Sequence, residues 1–451
     1  MNRENARGIR DMTRGSTLRC ILFFAFPLML GNAFQQIYTL TDTAVVGRVL
    51  GVTALAALGA CDLLVWTVSS AIQAFTGGFS IRMANAFGAG DRARLHRTIA
   101  TSAALSAIAG FGLCLLMELC APAILHLMQV QPEVFPYALL YLRILYAGVP
   151  FVTLYNYFFA ILRALGNSRD PFRAMLLSSG LNILLDLLFV AVLGLGIGSA
   201  AFATIFSQGV SALYSFRKVR RLLPEDRSHL RFDRSLVGHL LSLSGPMAGQ
   251  LIISAGGGLV IQAVVNTYEV AFIAGYTATY KLFGLLEMAA ISYGQAITTY
   301  TGQNLGAGQI VRIRRGLWIS ESVALVTALL LSLVIFLAGE PIIRLFISGT
   351  EEEIARAVPS GLTFLRLMGL WLLALYTNHL CGSFVQGLGK AVLPTVNSVC
   401  EMLTRALSVT VFRAALGPRC VFYAEPLAWI TGALILGVSA LLFLRRLEKV
   451  D

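Results

Sequence analysis

Long apolar segments dominate this sequence and limit what it can fold into. A helix needs about 20 mostly apolar residues to cross the hydrocarbon core of a bilayer. Twelve such segments follow one another, near residues 20–45, 54–77, 98–122, 134–162, 172–194, 196–216, 237–263, 270–298, 317–338, 355–387, 390–414 and 421–444. Each is far longer than a strand of a membrane barrel, and none alternates as such strands do. We therefore expect an all-α membrane protein with twelve transmembrane helices.

The composition excludes several other classes of protein. Of the 451 residues, 57% are hydrophobic and only 13% are charged, against about 25% charged in soluble domains. The chain is therefore neither disordered nor an ordinary soluble enzyme. The net charge of +12 would suggest nucleic acid for a soluble protein, but here it is typical of cationic loops beside a bilayer, so we expect no nucleic-acid partner. The seven cysteines are odd in number and lie mostly in apolar runs, which favours buried thiols.

The basic residues predict the orientation of the chain. With both termini in the cytoplasm, 26 of the 35 Lys and Arg residues fall in the inner segments, as the positive-inside rule requires. The first apolar segment follows Arg19 without a small-residue cleavage pattern, so we expect it to remain in the mature protein. The sequence thus predicts a multi-pass protein of the inner (cytoplasmic) membrane that contacts the lipid bilayer with twelve helices.

Two similar loops indicate an internal repeat. Asn85-Ala-Phe-Gly-Ala-Gly-Asp91 follows the second span, and Gln303-Asn-Leu-Gly-Ala-Gly-Gln309 follows the eighth. Other pairs keep nearly the same offset in the same order: Pro27 with Pro246, Pro122 with Pro341, Leu142-Arg143 with Leu365-Arg366, Leu165-Gly166 with Leu388-Gly389, and Pro171 with Pro394. This order predicts a duplicated unit of six helices.

The repeat predicts the architecture. Because six is an even number, both copies enter the membrane from the same side, so the repeat is parallel and the lobes are related by a pseudo-twofold axis along the membrane normal. We expect an N-terminal lobe at 1–225 and a C-terminal lobe at 226–451, joined by the basic stretch 217–234. Two lobes around a central cavity suit a transporter better than a receptor or a pore.

Acidic residues inside the spans are costly in a bilayer and therefore point to function. Asp42 shares a helical face with Gln35 and Tyr38. In the fifth span, Asn182 and Asp186 share a face with Ser179, and in the sixth, Thr204 shares one with Ala200 and Gln208. Such oxygen-rich sets suit Na⁺ or a shared proton. The alternative is a set of hydrogen bonds that only hold the helices together.

The C-terminal half lacks this arrangement. Ile261 stands at the position matching Asp42, and Val409 at the position matching Asp186. Glu401 and Arg405 are spaced i, i+4, which favours a structural ion pair. We expect Glu287 and Glu401 to be the only acids deep in this half, and Lys281 and Glu287 to reach the cavity.

Motifs of energy-coupled and catalytic proteins are missing. The sequence contains no GxxxxGK[ST] phosphate-binding loop and no HExxH zinc motif. We therefore expect a protein that is not an enzyme, needs no cofactor and takes its energy from an ion gradient or a partner. The 27 Phe, 14 Tyr and 11 Met residues suit a cavity for flat hydrophobic cations through cation–π and sulfur contacts.

These motifs together resemble those of the multidrug and toxic compound extrusion (MATE) transporters of prokaryotes. The resemblance rests on Asp11 through Ser16, on Phe26-Pro27 through Gln35, Tyr38, Asp42 and Gly47, on the two Gly-Ala-Gly loops, on Leu162 through Gly166, and on Asn182 with Asp186. It covers nearly the whole chain in order. It implies export of small organic cations in exchange for H⁺ or Na⁺ by alternating access of two six-helix lobes.

The resemblance also implies a site. The cation site of prokaryotic members falls on Asp42, Asn182, Asp186 and Thr204, with Ala200 as a carbonyl ligand, and Na⁺ would bind to the first four. Gln35, Tyr38, Lys281 and Glu287 are candidates for the substrate cavity, and we expect a monomer. One alternative is a flippase for a lipid-linked or amphipathic molecule, which would need a cationic cavity. A more remote one is an integral-membrane enzyme or a signalling protein.

Overall fold

The computed structural model describes residues 9–223, 230–347 and 350–447, and the regular secondary structure of these residues is helical, without a β-strand. In chain order the helices are α1 (Thr17–Val49), α2 (Val52–Gly88), α3 (Arg92–Leu127), α4 (Phe135–Ala147), α5 (Val149–Ala164), α6 (Arg169–Asp186), α7 (Ile197–Leu222), α8 (Arg234–Val265), α9 (Val270–Gly306), α10 (Ile310–Arg344), α11 (Glu351–Gly387), α12 (Val392–Val411), α13 (Arg413–Leu416) and α14 (Cys420–Leu447). The all-α fold is confirmed, and each predicted segment coincides with one helix or one interrupted helix.

Many of these helices, two of them together with a short neighbouring helical segment, could cross a membrane. Within the described residues, eight are long and apolar enough by length and composition, and a ninth arises if α4 and α5, bent by 46°, count as one broken span. The bend falls at Gly148, two residues before Pro150. The remaining long helices are α7, α9 and α12, and each also contains polar or charged residues that the sequence singled out, such as Gln208, Glu287 and Glu401.

The described residues group into two compact units. The first contains 9–11 and 26–248, and the second contains 12–25 and 249–447. One boundary precedes α1, between residues 11 and 12. The other two lie inside α1 and α8, beside Pro27 and Pro246, where proline removes a hydrogen bond from the helix. The predicted joint at 217–234 is described at its two ends, and its residues 224–229 lie outside the described residues, as do both termini.

The two Gly-Ala-Gly loops form the same turn. Gly90 follows the end of α2 with φ 71° and Gly308 follows the end of α9 with φ 68°, a left-handed conformation that glycine adopts without a steric penalty. The turns also share a backbone bond: Asp91 N donates to Ala86 O, and Gln309 N donates to Asn304 O, at 3.1 and 2.9 Å. The predicted repeat therefore extends to the backbone of its most similar loops.

In the second unit, the segment before α1 binds to the Gly-Ala-Gly turn. The backbone N of Met12 donates to Gln303 Oε1 at 2.8 Å. Arg312 donates to the carbonyl oxygens of Met12 and Gly15 at 3.0 and 2.9 Å, and to Asn304 Oδ1 at 3.1 Å. Two motifs that lie far apart in the sequence, 11–16 and 303–308, thus form one polar cluster.

Helix packing within each unit determines which polar residues lie close together. In the first unit α6 packs along α7, and α5 packs against α2, α3 and α7. In the second unit α11 packs against α9, α10 and α14, and α12 packs against α14. The predicted site residues of the first half therefore lie on two helices in direct contact, together with α1.

Candidate cation-binding site

Helices α6 and α7 bring three of the predicted site residues together. Asn182 Nδ2 donates to Thr204 Oγ1 at 3.2 Å, and Thr204 Oγ1 donates to the carbonyl oxygen of Ala200 at 3.2 Å. The backbones approach closely because α7 presents small buried side chains here, with Ala200, Ala201 and Ala203 fully buried. The i, i+4 spacing of Ala200 and Thr204 thus produces one continuous polar contact.

Several buried oxygen atoms around this contact have no hydrogen-bond donor among the described residues. They are Asp42 Oδ1, Asn182 Oδ1, Asp186 Oδ1, Asp186 Oδ2 and Gln208 Oε1. Asp186 is completely buried and Asp42 is 7% exposed. Buried polar atoms are almost always paired, and an unpaired buried carboxylate is especially unfavourable. Because all five atoms are acceptors, what the group lacks is positive charge or protons.

Asp42 belongs to the same group through electrostatic interaction. Its carboxylate interacts with Asp186, and Tyr38, one helical turn earlier on α1, interacts with both acids. Asp62 on α2 adds a third negative charge that acts on Asp42. The sequence pattern did not connect Asp62 with the site, because it lies on another helix at a spacing unrelated to the first. These groups of like charge favour binding of a cation.

A change of helix type occurs at the site. The α-helical hydrogen bonding of α6 ends at Asp186, and residues Leu187–Val192 continue as a π-helix. Short π-helical turns interrupt regular packing and are frequent at functional sites. This turn lies directly after the buried acid and thus changes the direction in which the following residues face. Hydropathy gave no signal for it.

The second unit places aliphatic side chains where the first unit has its acids. Ile261 and Val409 are fully buried. Neither aliphatic side chain offers an oxygen ligand, so these two positions do not reproduce the acids of the first unit.

The second unit contains a different polar network. Glu401 Oε1 accepts hydrogen bonds from Asn378 and Asn397 at 2.8 and 2.7 Å. The predicted ion pair between Glu401 and Arg405 is present at 3.8 Å. Arg405, however, lies closer to Glu425, with two bonds of 3.2 and 3.0 Å to one carboxylate oxygen.

Glu425 corrects an expectation from the sequence. Glu287 and Glu401 are not the only deep acids of this half, because Glu425 is only 3% exposed. It was missed because it lies five residues after the start of α14, where a carboxylate could have reached the membrane surface. Its burial against Arg405 supports a structural role for this network.

The candidate cavity residues differ in their surroundings. In the first unit, Gln35 and Tyr38 are half-buried on α1. In the second, Lys281 is exposed on α9, while Glu287 Oε1 is 2.9 Å from His379 Nε2 on α11. His379 is a partner that sequence spacing could not predict, since 92 residues separate the two.

The donor set also limits the kind of cation. Within the described residues, no three side chains of His, Cys, Asp or Glu come together in a way that could hold a metal ion. The site instead offers two carboxylates, an amide oxygen, a hydroxyl and a backbone carbonyl. Oxygen ligands of this kind suit hard cations, whereas soft metals prefer thiolate and imidazole.

Comparison with known proteins decides the family. The MatE family model matches this chain twice, over residues 27–188 and 246–410. The protein belongs to the MatE family. The two matches begin at Pro27 and Pro246, the first pair of the predicted repeat, and together they cover well over half of the chain. As a member of the MatE (MATE) family, the protein is a membrane transporter and not an enzyme, and its cargo is a small molecule.

Individual relatives extend over nearly the full length. The chain is 28% identical over 413 residues to the probable multidrug resistance protein YpnP of Bacillus subtilis, covering 91% of each chain. It is 29% identical over 402 residues to the probable multidrug resistance protein YoeA of the same organism, covering 86% of this chain and 85% of that one. A solved structure described as the outward-facing conformation of a multidrug resistance MATE family transporter shares the fold, with a TM-score of 0.91 at 22% identity over 97% and 98% of the two chains.

Proposed function

We propose that this MatE transporter is a secondary active exporter of organic cations, driven by the inward movement of H⁺ or Na⁺. The observation that carries the proposal is the group of buried acceptor oxygens on Asp42, Asn182 and Asp186 that have no donor among the described residues. A bound cation or proton would satisfy them. The names of the relatives YpnP and YoeA support drugs as the cargo.

The coupling site consists of Asp42, Asn182, Asp186 and Thr204, with the carbonyl oxygen of Ala200 as a further ligand. Na⁺ would bind between the two carboxylates, the amide oxygen and the hydroxyl. A proton would be shared between Asp42 and Asp186, because two acids that interact electrostatically do not both remain charged readily in a buried site.

Competition for this negative charge would couple the two fluxes. When the site opens outward, H⁺ or Na⁺ enters and removes the charge that held the cationic drug, so the drug leaves. The loaded site then favours the inward-open state. A ligand shifts the two states only by its difference in affinity for them, so the coupling ion must bind more tightly to one state than to the other.

The cargo would be recognised by polar and aromatic side chains near the coupling site. Gln35 and Tyr38 lie on the same face of α1 as Asp42, and we assign them to the substrate cavity. Lys281 and Glu287 are our candidates for cargo recognition from the second half. A hydrophobic cation would interact with the ring of Tyr38.

The remaining assignments follow from the charge pattern and the repeat. We place the protein in the inner membrane as a monomer, with both termini in the cytoplasm. We retain 1–225 and 226–451 as the two repeated halves of the chain, a division that the two family matches at 27–188 and 246–410 support.

Efflux from vesicles tests the proposal. Purified protein is reconstituted, and efflux of ethidium is followed with a pH gradient and a Na⁺ gradient imposed separately. We expect one gradient to drive efflux in the wild type, and Asp42→Asn and Asp186→Asn to lose at least tenfold. Asp91→Asn is the matched control: it removes the same charge from the exposed N-cap of α3, and asparagine caps a helix equally well. Wild-type efflux in both site variants would overturn the assignment.

A further inference from the structure

A small cavity lies at the end of the first unit, where α2, α3 and α8 meet. Its volume is about 190 Å³. The lining consists of three basic side chains, two hydroxyls and two leucines: Arg82, Arg94, His239, Thr98, Ser235, Leu236 and Leu240. None of these residues belongs to the proposed coupling site. The positive-inside pattern assigns this end of the unit to the cytoplasm.

Within the described residues, the positive charge in this cavity is not compensated, because no acidic side chain lines it. Arg82 Nε is buried and has no hydrogen-bond acceptor within the part of the chain that the structure describes. The charges of Arg82 and Arg94 act unfavourably on each other. Two like charges that are partly withdrawn from water stabilise the protein only when an anion joins them.

Two described acids that are close in sequence to the lining residues have other partners. Asp91 Oδ1 accepts a bond from the backbone N of Arg94 at 2.8 Å and caps α3. Asp233 pairs with Arg97 at 3.4 Å and caps the first turn of α8 through the backbone N of Ser235 at 3.0 Å. Both carboxylates therefore hold helix ends, and neither is placed to neutralise Arg82.

The donor set fits one kind of anion. Guanidinium groups bind phosphate oxygens with two parallel hydrogen bonds. His239 Nδ1 donates to the carbonyl oxygen of Ser235 at 3.2 Å, so Nε2 donates to an anion only when the ring is the imidazolium. The cavity also borders the first turns of α3 and α8, where helix dipoles favour negative charge.

We propose that this cavity binds the phosphate group of an anionic ligand at the cytoplasmic face of the transporter. The same chemistry is offered by the headgroup of an anionic phospholipid and by free phosphate in solution. The inference is independent of the coupling ion and of the exported cargo.

Binding to the purified full-length protein tests the proposal. One arm measures retention of phosphatidylglycerol from doped detergent micelles by native mass spectrometry, with phosphatidylcholine for comparison. The other measures thermal stability against inorganic phosphate, with chloride at equal ionic strength. We expect saturable binding in at least one arm, weakened on the order of tenfold or more in the double variant Arg82→Gln/Arg94→Gln. Binding only in the first arm identifies a headgroup as the ligand, and binding in the second identifies free phosphate.

The control separates this site from general basicity. Arg97→Gln removes a charge one helical turn from Arg94, but Arg97 is exposed and does not line the cavity. We expect the affinity of the Arg97→Gln variant for phosphatidylglycerol or inorganic phosphate to stay within about twofold of the wild-type affinity. If the double variant does not fold, the half-exposed Arg94→Gln alone should weaken binding several-fold. Equal affinities in the wild type and the cavity variants, or an equal loss in Arg97→Gln, would overturn the proposal.

Discussion

Removing the Arg405 side chain should destabilise the second unit strongly. Arg405→Met leaves Glu425, which is 3% exposed, without the two bonds of 3.0 and 3.2 Å that the guanidinium provides. Glu401 loses a weaker contact of 3.8 Å and retains two amide donors. Breaking a buried ion pair from one side costs about 3–5 kcal/mol. Most of this loss should come from Glu425.

The measurement is thermal unfolding of the purified protein in detergent. A loss of about 3–5 kcal/mol corresponds to a decrease in Tm of roughly 6–20 °C for a cooperative unit of about 200 residues. Because Glu425 carries most of the loss, adding Glu425→Gln should recover at least half of the decrease, whereas adding Glu401→Gln should recover less.

An exposed ion pair of the same length serves as the control. Arg344 lies 3.0 Å from Glu340, and both side chains are about half exposed. Arg344→Met should therefore lower Tm by no more than about 2–4 °C, since surface pairs contribute at most about 1 kcal/mol. A decrease in Arg405→Met as small as in this control, or equal recovery by Glu425→Gln and Glu401→Gln, would refute the structural role of the network.

Three further substitutions test separate parts of the account. Thr204→Val preserves the shape of the side chain but removes its hydroxyl. In a binding assay, affinity for the coupling ion should therefore fall several-fold, while Tm changes by only a few degrees. Unchanged affinity would show that Thr204 is not a ligand of the coupling ion. Gly308→Ala forces a Cβ into a left-handed conformation and should cost about 1–2 kcal/mol in thermal unfolding, whereas an unchanged Tm would contradict the assigned turn. Arg312→Gln removes two hydrogen bonds to carbonyl oxygens of segment 12–15. Cleavage by trypsin at Arg14 should therefore become about tenfold faster. A cleavage rate equal to that of the wild type would show that other contacts hold the segment.

The fold could be predicted from the sequence because its strongest signals are local or repeated. The length of the apolar segments predicted the position of every long helix, because a helix needs about 20 apolar residues to cross a bilayer. The repeat was visible because prolines and the Gly-Ala-Gly loops impose backbone constraints that few other residues satisfy. Gly90 and Gly308 show this directly, as both adopt the same positive φ.

Only the part of the candidate site that depends on spacing within one helix could be predicted from the sequence. Helical spacing placed Asn182 and Asp186 on one face, and the structure brings Asn182 against Thr204. The π-helix after Asp186 and the pairing of Glu425 with Arg405 depend on packing between helices. Contacts of this kind leave no periodic signal in one sequence.

The most direct test of the proposed mechanism is whether cargo and coupling ion compete for one site. Purified protein in weakly buffered detergent solution is titrated with tetraphenylphosphonium while released H⁺ and Na⁺ are measured together. The proposal predicts release of about one H⁺ or one Na⁺ per cation bound by the wild type, and none from Asp186→Asn at a concentration that still saturates it. Saturable binding without release of either ion in the wild type, or unchanged release from Asp186→Asn, would contradict it.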